Sequence, residues 1–116
     1  MILDATNETL EAVLAGAVAS AQPHVTVCWT DLDAASGTLT PGSASTATNS
    51  TTAVTILAAP AASVQRVVDS IHVHNNDSAS VALAIQHDAG GTERILKKET
   101  IPAGESRCWT RGAGWG

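Results

Sequence analysis

An all-β fold, an antiparallel β-sandwich of jelly-roll type with six to eight short strands, is what this 116-residue sequence predicts. Three observations point there. Turn-forming clusters recur roughly every 10–14 residues, close to the spacing of an antiparallel sandwich. The segments between them are short and alternate β-branched with polar residues. Thr (14) and Ser (10) are abundant, which suits exposed strand faces and loops more than helices. The length fits a single domain spanning residues 1–116 and is too short for two separate cores.

The first element is ambiguous between helix and strand. From Glu8 to Ala19, residues Leu10, Val13, Leu14 and Ala17 fit one face of a short helix capped by Thr6 or Asn7. Gly16 and the Gln22-Pro23 step weaken any long helix there. His24 to Asp33 (HVTVCWTDLD) sets Val25, Val27 and Trp29 against Thr26, Cys28 and Thr30, a strand. Residues 36–52 (SGTLTPGSASTATNSTT) are Ser/Thr/Gly-rich, have no periodicity and read as a long flexible loop or arm. Val54 to Ala58 is a short strand stopped by Pro60.

Gln65 to His87 reads as a hairpin. Val67, Ile71 and Val73 make one apolar face, and Val81, Leu83 and Ile85 make another. Setting apolar against apolar pairs Ile71 with Ile85 and Val73 with Leu83, leaving Asn76 to Ser80 as the turn. Asp88-Ala89-Gly90-Gly91 then turns the chain into a strand from Thr92 to Ile101. A turn at Pro102-Ala103-Gly104, a closing strand from Glu105 to Thr110 and a Gly-rich tail at 111–116 complete the chain. Trp115 in that tail reads either as a docking anchor or as a cap on the sandwich edge.

Composition narrows the function. The net charge is −5, charged residues are 15% and mean hydropathy is +0.10. No apolar run approaches the ~20 residues of a membrane-spanning helix, and nothing makes the basic face a nucleic-acid binder needs. Of the apolar residues 21 are Ala, with three Trp and no Phe or Tyr, so burial per residue is low and burial against other chains is expected. Residues 1–65 carry Asp4, Glu8, Glu11, Asp31 and Asp33 and no Lys or Arg, an acidic surface suited to a basic partner or to solvation. LEAVLAGAVASA has the length of a signal-peptide core, but acids rather than bases precede it, so no export is expected. The sequons at Asn7, Asn49 and Asn76 then meet no glycosylating compartment.

The residues that carry chemistry are few. Cys28 and Cys108 each open a Cys-Trp-Thr triplet; no CxxC exists, and a disulfide requires their strands to be neighbours. His72 and His74 look like the HxH pair of a metal-binding cupin, with His87 as a third ligand. The hairpin register sends His72 and His74 to the polar face and His87 to the core face opposite Asp69, so these three do not converge. Gly90-Gly91 is a turn and not a phosphate loop, since neither GxGxxG nor GxxxxGK occurs. No catalytic, cofactor-binding or metal-binding residue is therefore singled out, and the chain is expected not to be an enzyme.

From Thr52 to Trp115 the chain resembles a group of small structural proteins of tailed bacteriophages. The likeness lies in a Thr-rich lead into VTIL, the APAAS turn, RVVDSIHVHNND, GGTERIL, IPAGE before a closing strand, and a Gly-Trp near the end. LEAVLAGAVASAQPHVTV is similar to that group's opening strand, which favours strand over helix there. The resemblance implies a head decoration (cement) protein, a head-fibre or spike base, or a tail-associated protein, located in a virion assembled in the host cytoplasm. The partners it implies are the major capsid protein or other virion proteins and further copies of the chain, as a dimer or trimer. Residues 36–52 and the acidic first half are then contact candidates, and Arg66, Arg94 and Arg107 could meet capsid acids if they share an edge. A glycan-binding module is the reading from a different class, with Trp109 or Trp115 as the stacking candidates.

Overall fold

The alternation in HVTVCW does what period two requires: Val25 and Val27 are fully buried while His24 between turn and sheet is exposed. A computed structural model describes residues 1–116, and it builds the whole chain from strands. In order these are β1 (Ile2–Leu3), β2 (Glu8–Leu14), β3 (His24–Asp33), β4 (Leu39–Ala47) and β5 (Val54–Leu57). They continue as β6 (Val64–His74), β7 (Val81–Ala89), β8 (Thr92–Ile101), β9 (Ser106–Thr110) and β10 (Gly114–Trp115). One antiparallel sheet, here sheet A, runs β10-β9-β6-β3-β4 with β1 also paired to β6. The other, sheet B, runs β5-β2-β7-β8. The two pack face to face as a β-sandwich around one cluster of 15 buried residues, with no helix.

Glu8 to Leu14 is therefore a strand, and the expected short helix is absent. Leu10, Ala12 and Leu14 are buried in period two and pair with β7 on one side and β5 on the other. The helical match of Val13 was fortuitous, because Val13 faces outward from sheet B.

The expected hairpin is also replaced. β6 and β7 lie in opposite sheets and share no ladder, so their apolar faces meet across the core rather than side by side. The turn between them is instead an arch pinned by buried polar groups. The fully buried Asn75 donates from Nδ2 to the carbonyls of Ile101 (2.9 Å) and Ala79 (3.0 Å), and its Oδ1 accepts the Asp77 N–H at 2.9 Å. Asp77 in turn accepts the backbone N–H groups of Ala19 (2.9 Å) and Ser20 (2.8 Å) from the β2–β3 connection. These bonds satisfy polar groups that a crossing loop would otherwise bury bare.

A bulge corrects one face residue. Cys28 pairs with Ser70 and Trp29 with Val68, leaving Asp69 extra on β6. Parity flips there, so Val68 is buried where Val67 was expected.

Much of the expected 36–52 loop is the edge strand β4, paired with β3 from His24↔Ala47 to Leu32↔Leu39. It lacks apolar alternation because its side chains are mostly exposed, and small Gly42 lies against the Trp29 ring. Pro41 is tolerated on an edge.

Nor is the core alanine-rich: of the 21 alanines only Ala12 and Ala84 are buried, and Leu, Val and Ile fill the interior.

Candidate functional site

Period two leaves each sheet an outer face, and the two faces differ in chemistry. On sheet B, Val13 of β2, Ala82 and Ala84 of β7 and Ile95 of β8 line an open groove of about 230 Å3, with Gln86 and Lys98 as its polar lining. Ile95 is 58% exposed and its neighbour Leu96 is 45% exposed, although both belong to a regular sheet. Leu96 is the extra residue of a second bulge, between the Ile85↔Lys97 and Gln86↔Ile95 pairs. Beyond the groove on the same face, the carboxylates of Glu11, Asp88 and Glu93 lie within 4.8 Å of one another. Gln86 Nε2 donates to Glu11 at 2.9 Å, and the Gly91 N–H donates to Asp88 at 2.8 Å.

The core-facing side of sheet B ends in a titratable cluster. His87 Nε2 stands 2.8 Å from Glu8 Oε2, so the expected His87–Asp69 pair is replaced by one between β7 and β2. Asp69 belongs to the other sheet, where its Oδ2 accepts Thr30 Oγ1 at 2.8 Å and Arg111 approaches Oδ1 at 3.3 Å. The Asp4 N–H donates to Glu8 Oε1 at 3.1 Å. The Asp4 carboxyl, beside the Glu8 carboxylate, is raised above the usual range, and Glu8, stabilised by Asp4 and then His87, is lowered.

Sheet A holds the arginine–tryptophan cluster. Arg66 donates to Asp31 through Nε at 2.8 Å and Nη2 at 3.0 Å, and its guanidinium stacks over the Trp29 ring, 4.9 Å from the centroid. Arg107 is held by Glu99 at 3.0 Å and Glu105 at 3.3 Å, which raises its pKa, Glu99 contributing most. With Arg94 on β8 of the other sheet, the three arginines do not share an edge, and two already have internal partners. Asp31 and Glu8 of the acidic first half are answered within the chain as well.

The remaining candidates are dispersed. Trp29, Trp109 and Trp115 are each partly buried and pack against the core cluster, so Trp115 caps the sandwich. Cys28 and Cys108 are free thiols on β3 and β9, with β6 lying between those strands. His72 and His74 point outward from sheet A, while His87 lies at the inner margin of sheet B. The sheet B groove was not legible from sequence, since Val13 fitted the face of a possible helix and Ile95 is set beside it only by the pairing of β2, β7 and β8.

The fold thus defines an all-β sandwich. No protein-family model, curated protein or solved structure matches the chain.

Proposed function

We propose that this chain is a non-enzymatic structural module of a bacteriophage-type virion, a decoration protein that stabilises the head shell as a closed oligomer. One observation carries the reading: the exposed Ile95 lines an apolar groove on the outer face of sheet B, and its chain neighbour Leu96 is exposed as well. Contiguous exposed apolar surface in a folded domain marks an interaction face. That face is self-complementary in charge, because Lys98 lines the groove and Glu11 and Glu93 lie beside it. A second copy turned about a twofold axis would set the lysine of each chain toward the acids of the other. Chain-to-chain pairing through an exposed sheet face suits a small module presented in many copies, where avidity adds to weak single contacts. The strand and turn motifs from Thr52 to Trp115 supply the virion context by resemblance.

Light scattering behind size-exclusion chromatography tests the pairing. The full chain is expected as a discrete dimer, and Ile95→Lys as a folded monomer. A monomeric wild-type chain would overturn self-association. The shell-stabilising role is tested on particles: those lacking this protein are expected to release their genome at lower temperature or milder osmotic shock. Equal robustness with and without it would remove that role.

A further inference from the structure

Three of the four histidines lie together on the outer face of sheet A, although they come from strands separated by about 50 residues of chain. His24 of β3 is the direct cross-strand partner of His74 of β6, and His72 precedes His74 by two residues on the same face. Val25 and Val73, their neighbours in the ladder, are buried, which fixes all three imidazoles on the outer face. Directly opposed residues have Cα atoms about 4.5–5.5 Å apart. Residues two apart on a strand are separated by roughly 6.6 Å. An imidazole is long enough to reach a common point above such a triangle.

The surroundings are suited to a cation. The residues registered beside the triangle are Thr26, Ser45, Ala47, Ser106 and Cys108, with no ammonium or guanidinium among them. His74 is half-buried, and its Nδ1 lies 2.7 Å from Ser106 Oγ. A metal at Nε2 selects the tautomer in which Nδ1–H donates to that hydroxyl, the arrangement that commonly orients a ligating histidine. His24 and His72 are exposed and free to turn, and in this structure their rings stand apart from one another rather than converging. The Cys108 thiol, opposite His72, is directed to the Trp109 carbonyl at 3.8 Å and stays outside the set.

We infer that His24, His72 and His74 form a binding site for a borderline divalent cation of the zinc or nickel class. Neutral imidazole is the ligand that suits those ions. Two nitrogens on one tetrahedral ion stand roughly 3.4 Å apart at Zn–N distances of about 2.1 Å, so the two exposed rings must turn toward His74 for the site to close. The fourth position is open to water. This set differs from the His72/His74/His87 grouping suggested by the HxH motif, because His24 takes the place of His87.

Calorimetric titration of the full chain with zinc chloride, thiols kept reduced with a phosphine, tests the site. Saturable binding of one zinc per chain is expected. Removing one partner around a metal ligand already weakens affinity about 10–100-fold, so His24→Asn and His72→Asn should each lose at least roughly that much. Both positions are exposed, so thermal melts of the variants should match wild type and separate lost binding from lost folding. Ser106→Ala should weaken zinc binding by about tenfold. Three results would each overturn the inference: no saturable zinc binding, one zinc per two chains, or binding unchanged in the His24→Asn/His72→Asn double variant. In the last case, loss of binding in Glu11→Gln/Glu93→Gln would move the ion to the carboxylate cluster of sheet B.

Discussion

Replacing Asn75 by alanine is the sharpest test of the arch that carries the chain from sheet A to sheet B. The side chain is fully buried and makes three hydrogen bonds, two donated to carbonyls and one accepted from Asp77 N–H. Ala79 is exposed, so water can replace the donor its carbonyl loses. Ile101 (1% exposed) and Asp77 (4%) are not, and each is left with a buried polar group short of a partner. Such a group costs about 1–3 kcal/mol, so the two together should cost about 2–6 kcal/mol. At an unfolding entropy of about 2.1 cal/mol/K per residue, each kcal/mol moves Tm of a chain this long by about 4 °C. Asn75→Ala should therefore melt about 8–24 °C below wild type in a circular-dichroism scan. Asn76→Ala, one residue along and exposed, should stay within about 0.5 kcal/mol. If the two variants melt together, Asn75 does not pin the arch and the account of the β6–β7 crossing fails.

Further expectations concern packing, acid and thiols. A Cβ added at Gly42 would stand 2.7 Å from two carbons of the Trp29 ring, which is itself confined by Arg66, so Gly42→Ala should lower urea stability by about 1–3 kcal/mol and shift tryptophan emission; an unchanged midpoint would count against the contact. The Asp77 carboxylate, held by backbone N–H groups from Ala19 first and then Ser20 and Ala21, has a pKa well below the usual carboxylate range. Because the native group is the more acidic, its stabilisation is complete above the unfolded value of about 3.9 and is lost as pH falls below it. Asp77→Asn should melt lower at neutral pH and show a flatter Tm profile between about pH 5 and pH 2; parallel profiles would show that Asp77 contributes no acid sensitivity. Cys28 and Cys108 flank β6 on opposite sides, so mild oxidation should leave no intramolecular disulfide and two titratable thiols after unfolding. A Cys28–Cys108 bond in the native protein would contradict the β9-β6-β3 order.

The sequence displays which residues face inward far better than it displays what they face. Val81, Leu83 and Ile85 are read as one apolar set, and all three are buried. Yet the same alternation serves whether Ile71 and Ile85 are neighbours within a sheet or meet across a core, so periodicity could not separate a hairpin from an arch. The distinguishing signal was Asn75 and Asp77: a tight exposed turn has no need to bury two polar side chains, whereas a crossing between sheets does. β4 escaped for the opposite reason. Its Ser/Thr/Gly composition reports an exposed edge, and only the ladder with β3 makes it a strand. The bulge at Asp69 left no mark in the sequence, and it displaced the expected Val67 by Val68. The outward HxH pair was legible at once; its third imidazole required knowing that β3 pairs with β6 with His24 against His74.

The two outer faces divide the work that the proposals assign to this chain. Sheet B presents Ile95, Leu96 and the groove, with lysine and acids arranged around them. Sheet A presents hydroxyls and imidazoles: Thr26, Ser45, His24, His72 and His74. Apolar exposure drives association without metal, whereas an imidazole triangle gains affinity only when an ion is supplied. If sheet B is the contact face, sheet A is left toward solvent, and zinc should bind the dimer and the Ile95→Lys monomer with equal affinity. Coupling between the two would mean that both faces belong to one interface, and a zinc titration of the two forms reads that directly.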